Sequence, residues 1–308
     1  MASLALHRRI LALPAHVRTQ AMREAFIAAS ARTSTRTHAT FNTNIDAEPP
    51  SHSSVNATEV SHFNTLASSW WDPHGSSRLL HLMNPLRHKF IKSCTGPSEL
   101  KKKKALRFLD IGCGGGIFAE SAARLPYAAS VTAIDPSPEV IAVAKRHARQ
   151  DPRLLRETGR LEYRNIAIEE LPASEEYDVV TLFEVIEHVQ QPAPFLRGVL
   201  RHLKPGGWLI GSTIARTGTS WFTTKFMAEE VLRMVPRGTH EWSQYIQPHE
   251  MREWARSQQE LLDVSVGGDG WRQMGVVYVP GLGWKEISGS EDWGNYFFGM
   301  RKRIDVDV

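Results

Sequence analysis

Between residues 106 and 213, short runs of nearly unbroken apolar residues alternate with longer stretches whose apolar positions recur every three or four residues. Strands buried on both faces show the first pattern and amphipathic helices the second. The alternation predicts strands over 106–111, 130–135, 161–165, 177–183 and 207–213, and helices over 117–125, 138–149 and 193–202. Such strand–helix repetition builds a mostly parallel sheet with helices on both faces. Further on, apolar runs at 261–266, 275–279 and 296–301 predict short strands, the last two pairing as a hairpin at the sheet edge. Ahead of the alternation, residues 57–95 read as a helical cover in which Trp70 and Trp71 either anchor the cover on the core or wall a pocket. Residues 214–250 interrupt the alternation after the strand ending at 213, where an insertion lies above the carboxyl ends of the strands. The domain therefore spans 57–308.

Residues 1–50 follow neither rhythm. Six arginines are spread there through Ala, Ser and Thr, lysine is absent, and Glu24 is the one acid before Asp46. This is the composition of a mitochondrial transit peptide, with Pro49 to Asn56 as a linker. The whole chain of 308 residues, 42% hydrophobic, has 37 Lys and Arg against 33 Asp and Glu. Much of the small basic excess lies in the N-terminal arm and in Lys101 to Lys104, so the balance gives no reason to expect a nucleic-acid partner. Two cysteines, Cys94 and Cys113, are too few for a disulfide framework and suit a reducing compartment. No apolar run approaches the ~20 residues that span a bilayer.

The densest chemical signal is Phe108-Leu109-Asp110-Ile111-Gly112-Cys113-Gly114-Gly115-Gly116, a strand entering a glycine turn, followed by Asp135 at the end of the next strand. Such a unit binds a nucleoside, the acidic residue accepting ribose hydroxyls. A dinucleotide fingerprint reads G-x-G-x-x-G. Here Gly112, Gly114 and Gly116 are evenly spaced and Asp110 precedes them, which suits the zwitterionic amino acid of S-adenosylmethionine better than an anionic pyrophosphate. A nicotinamide-dependent oxidoreductase stays open as an alternative, because Asp135 would serve its ribose too. So does a non-catalytic subunit that binds the nucleoside for stability.

Directly after the strand 177–183 come Glu184, Glu187 and His188, an ionisable cluster at a strand's carboxyl end. Oxygen-rich ligands with one histidine suit Mg²⁺ or a similar divalent cation; equally, His188 can act as a general base without any metal. His240 and His249 in the insertion are weaker candidates for that base.

Taken together, Trp70-Trp71-Asp72-Pro73, Leu82 to Arg87, Asp110 to Gly116, Glu184 to Val189, Lys204-Pro205-Gly206-Gly207 and Leu232 to His240 make the chain resemble the ubiquinone biosynthesis O-methyltransferases, in their mitochondrial branch. The resemblance covers about residues 58–300. It implies a seven-stranded, Rossmann-like class I methyltransferase sheet. It implies methyl transfer from S-adenosylmethionine to phenolic hydroxyls of polyprenylated dihydroxybenzoate and demethylubiquinol intermediates. Arg87, Gly112, Asp135 and Phe183 match the family's cofactor contacts, while Glu184, Glu187 and His188 match its divalent-metal positions. Arg87 suits the methionine carboxylate, since a guanidinium binds carboxylates in bidentate fashion. Phe183 is expected as an apolar contact by the adenosine. A peripheral place on the matrix side of the mitochondrial inner membrane, and other coenzyme Q biosynthesis proteins as partners, also come from the resemblance. The membrane-contacting segment would be the insertion, where Trp221, Phe222 and Phe226 lie among Lys225 and Arg233 as in an interfacial helix.

Overall fold

The computed structural model describes residues 53–75, 77–96, 105–154, 159–216, 245–262, 268–279 and 281–304. The expected arm over 1–50 and the core of the expected lid, including Trp221, Phe222 and His240, lie outside the described residues.

The alternating region folds as its pattern predicts. Strands β1 (Leu106–Ile111), β2 (Ala128–Ile134), β3 (Leu161–Arg164), β4 (Tyr177–Phe183) and β5 (Leu203–Ile214) pair in parallel in the order β3-β2-β1-β4-β5. Each helix between them starts where local chemistry favours it. At α4 (Pro138–Ala148), Ser137 caps the backbone N–H of Val140, proline occupies the first turn, and Lys145, Arg146 and His147 face the negative end of the helix dipole. Helix α3 (Ile117–Ala123) begins at Gly116 and α5 (Pro192–Arg201) at a proline. Strand β5 starts four residues earlier than its apolar run. Gly206, with φ of +75°, forms an irregularity that lets Leu203 pair with Tyr177 before regular pairing resumes at Trp208.

The far edge departs from expectation. The sheet has eight strands, not seven, in the order β3-β2-β1-β4-β5-β8-β6-β7. Strands β6 (Trp271–Val279) and β8 (Asn295–Arg301) do pair antiparallel, but β8 sits between β5 and β6 rather than at the edge. The reason is burial: Tyr296 to Met300 are all buried and need a neighbour on both sides. The edge belongs to β7 (Gly283–Glu286), a strand the apolar pattern does not reveal because none of its residues is buried. Of the expected strand at 261–266, Leu261 bridges to Lys302, and residues 263–266 lie outside the described residues. Helix α6 (Pro248–Ser257), which buries Met251, Trp254 and Ala255 at helical spacing, begins inside the expected lid and packs on the sheet.

The cover consists of α1 (Ala57–Leu66), a single 3₁₀ turn at Ala67–Ser69, and α2 (Arg78–Thr95). It closes over the carboxyl ends of β1 and β4. There the chain runs from β1 to β2 on one side while β4 lies on the other, the switch point where an open α/β sheet has its crevice.

Candidate active site

The crevice is a cavity of about 860 Å³ roofed by the cover. Arg87, Asp110, Gly112, Gly114, Asp135, Phe183, Glu184, Glu187 and His188 all line it. Gly116 stands apart, at the start of α3, with the Tyr163 hydroxyl over it.

The glycine turn is shaped by protein as much as for a ligand. Gly114 has φ of +54°, and a Cβ there would lie 2.2 Å from the Trp70 ring; a Cβ on Gly112 would lie 2.5 Å from Val185. Trp70 thus both packs the cover on the loop and walls the cavity. Trp71 anchors alone: its Nε1 donates to the Gly115 carbonyl at 2.8 Å, and its ring stacks on His147, which pairs with buried Glu120 at 2.8 Å. Asp135 is held by the same loop, one oxygen accepting from the Gly114 N–H at 3.0 Å and the other from the Ser137 N–H at 2.9 Å. Each oxygen keeps a lone pair for a ribose hydroxyl. Ile134, Val140, Ile166 and Ile168 add an apolar slot beside it. The sequence reading missed that slot; the signal for Ile166 and Ile168 was their place directly after β3.

Arg87 and Asp110 form the polar end. Arg87 is 4% exposed, and its Nε has no partner. Burial lowers its pKa, with Glu184 and Asp110 opposing. Asp110 is 2% exposed; Oδ1 accepts from the Thr181 hydroxyl at 2.8 Å, while Oδ2 has no partner. Burial pushes its carboxyl up to about 7 against the hydrogen bond from Thr181. Leaving such groups unsatisfied costs about 1–3 kcal/mol each. A zwitterionic amino acid would satisfy both, with a carboxylate at Arg87 and an ammonium at Asp110, so these residues suit S-adenosylmethionine in kind. Phe183 lies 4.9 Å beneath the Arg87 guanidinium and edge-on to Phe118, supporting the arginine.

Glu184 is the one non-glycine with positive φ among the described residues, at 58°. Such a conformation costs of order 1–3 kcal/mol and persists only where its surroundings enforce it. Here the Ser212 hydroxyl donates to Oε1 at 2.6 Å and the Asn295 amide to Oε2 at 3.4 Å. Glu187 accepts from the Thr213 hydroxyl at 2.8 Å, and burial together with the Glu184 charge pushes its carboxyl up to about 7. On His188, Nδ1 lies 2.9 Å from Glu59 of α1, and Phe63 packs edge-on against its ring. Burial disfavours protonation of His188, but the hydrogen bond to Glu59 and the Glu187 charge outweigh it and raise the pKa. The two carboxylates suit a hard cation in kind. The three-ligand set implied by the resemblance is nonetheless not assembled: among the described residues no three His, Cys, Asp or Glu side chains are grouped as metal ligands. His249, the weaker base candidate, is exposed on α6 and does not line the cavity.

Comparison with known proteins agrees with this geometry. A methyltransferase domain family matches residues 86–259, more than half of the chain. The mitochondrial ubiquinone biosynthesis O-methyltransferase of Candida albicans is 40% identical over 81% of this chain and 86% of its own length. That of Schizosaccharomyces pombe is 46% identical over 68% and 74%. Among solved structures, magnesium protoporphyrin IX methyltransferase from Synechocystis with bound SAH superposes with a TM-score of 0.54, covering 80% of this chain and 98% of that one at 14% identity, a likeness of fold.

Proposed function

The chain belongs to the ubiquinone biosynthesis O-methyltransferases, S-adenosylmethionine-dependent enzymes, and from that premise we propose that its acceptors are the phenolic hydroxyls of polyprenylated dihydroxybenzoate and demethylubiquinol intermediates. The observation that carries the reading is the pair of unpartnered buried atoms, Arg87 Nε and Asp110 Oδ2, at one end of a cavity whose other polar anchor is Asp135. Arg87, Asp110 and Asp135 hold the amino-acid and ribose ends of the methyl donor, and the turn at Gly112 and Gly114 brings backbone beneath it. When bound, the donor supplies an electrophilic methyl on a sulfonium.

His188 takes the acceptor's proton. A carboxylate can only accept, so Glu59 fixes the His188 N–H on Nδ1 and leaves Nε2 free to receive the phenol hydrogen. The phenol oxygen then forms the new C–O bond as the C–S bond breaks, and the positive charge of the sulfonium ends on the imidazole. Glu184 and Glu187 stand beside this oxygen, and a divalent cation held by these two carboxylates would add charge that favours phenolate. No step above depends on it.

A mitochondrial location follows the names of the relatives. The fungal relatives are mitochondrial by name, and no helix among the described residues is long and apolar enough to cross a membrane. We place the chain at the matrix face of the inner membrane, touching it through the 214–250 insertion and working beside other coenzyme Q biosynthesis proteins. Flotation with anionic liposomes is expected to fail when Trp221 and Phe222 become serine; undiminished flotation contradicts that contact.

The deciding experiment is methyl transfer to a prenylated catechol benzoate, repeated with EDTA and then with Mg²⁺. Transfer is expected in the untreated enzyme, slower on chelation and restored on Mg²⁺ addition. A rate indifferent to EDTA removes the cation and leaves His188 as the sole base. Absence of transfer to any catechol, with S-adenosylhomocysteine still bound, overturns the acceptor.

A further inference from the structure

The two proposed acceptor classes differ by one charge: a dihydroxybenzoate carries a ring carboxylate and a demethylubiquinol carries none. One cavity must therefore admit an anion and a neutral ring at the same reacting groups. Its walls are unfavourable to the anion. Five carboxyl side chains line it, Glu59, Asp110, Asp135, Glu184 and Glu187, against three side chains that can carry positive charge, Arg87, His62 and His188. A ring carboxylate placed among these acids without a cation of its own is disfavoured by repulsion and by lost water.

Two of those three already have work. Arg87 lies over Phe183 at the donor's amino-acid end, and His188 Nδ1 is paired with Glu59. His62 is left. It is half-buried on α1, it lines the cavity, and it has no hydrogen-bond or ion-pair partner among the described residues. Its place suits the acceptor ring rather than the donor. It lies three positions after Glu59, so the two side chains share one face of α1 with Cβ atoms about 5–6 Å apart, and Glu59 reaches the base. Phe63 is edge-on both to His62, at 5.9 Å, and to His188, at 5.2 Å. One phenyl ring thus adjoins both imidazoles.

We infer that His62 reads the acceptor's ring carboxylate, and that a histidine at this position is what lets one site take both acceptor classes. The inference rests on the reading of the site as a phenol methyltransferase with those acceptors. A histidine can meet an anion as imidazolium and a neutral ring as imidazole. A lysine or arginine cannot: against a carboxylate-free ring its fixed charge is left half-buried and unpaired. Helix α1 suits such a part, because it buries no residue in the core while several of its side chains line the cavity.

The test compares two catechol acceptors with the same prenyl group, one with a ring carboxylate and one with hydrogen in its place, on the full chain with Mg²⁺ present throughout. For each variant the ratio of the two kcat/KM values is set against that of the unaltered enzyme, which cancels the intrinsic difference between the phenols. His62→Leu is expected to lower kcat/KM for the carboxylated acceptor about ten- to a hundredfold, chiefly through KM, and to leave the other within about twofold. His62→Lys should retain the carboxylated acceptor and lower kcat/KM for the carboxylate-free one about fivefold. Neither substitution touches the core, since α1 buries no residue, and S-adenosylhomocysteine affinity measured by calorimetry reports that the fold and the donor end are intact. With that affinity retained, an equal effect of His62→Leu on both acceptors, or no effect on either, overturns the inference. So does a lysine variant as poor with the carboxylated acceptor as the leucine variant. Failure of the unaltered enzyme to methylate either catechol is a different result and strikes at the acceptor reading itself.

Discussion

Arg87 and Asp110 show how a buried residue can be correct and unsatisfied at the same time. Asp110 is the last residue but one of β1 and Arg87 sits two residues past a proline in α2, and neither placement is cheap: each loses water and gains no full set of partners. Arg87→Met is expected to weaken S-adenosylhomocysteine binding about ten- to a hundredfold in calorimetry, the worth of a hydrogen bond to a charged group. Donor affinity should also depend on pH. Burial holds the Asp110 carboxyl near 7 in the free protein, and an incoming ammonium favours its ionised form. Binding therefore releases a proton below about pH 7, and affinity is expected to fall as pH drops from 7 toward 5. In Asp110→Asn that slope should flatten. A slope that persists in the variant assigns the proton elsewhere.

At the scale of elements, the cover and the glycine turn form one unit. Trp70 occupies the space over Gly114 that a reader of the motif alone would assign to ligand. Gly114→Ala meets two penalties, the left-handed backbone and the indole, and is expected to cost about 2–4 kcal/mol in guanidinium unfolding. In a Trp70→Ala background the steric part disappears and the remaining penalty should be about 1 kcal/mol. Equal penalties in both backgrounds would mean that the indole is not seated as described. The elements legible in advance were those whose patterns answer to burial on both faces, β1 to β5 and their helices. Strand β7 and helix α6 were not. The first has no fully buried residue, and the second follows an apolar insertion with which its own apolar stripe merges.

Across the whole molecule, the cover is braced to the core by a polar cluster with its own pH dependence. His88 Nε2 lies 2.8 Å and Asn84 Nδ2 2.9 Å from the Ser121 hydroxyl of α3. Burial, with Lys92 and Arg87 nearby, lowers the His88 pKa from 6.5 to about 4. Between those values the unfolded chain binds the extra proton, so this stabilising contribution is complete above about 6.5 and is lost as pH falls toward 4. Unfolding midpoints are expected to drop over that window and to drop less in His88→Gln; identical profiles would contradict the brace.

The sequence by itself determined what periodicity and spacing encode locally: the parallel half of the sheet, the glycine turn with Asp110 and Asp135, and the cluster from Glu184 to His188. These are contiguous in the chain, and backbone sterics and burial act on them within a few residues. What only the tertiary structure decided lies between segments far apart in sequence. Glu59 pairs with His188, Trp70 fills the turn at Gly114, Arg87 comes to rest on Phe183, and the β6–β7 hairpin fastens to α2 through Trp284 and Leu79. No local pattern specifies such contacts, because each depends on packing the cover against a sheet whose strand order is set by global burial.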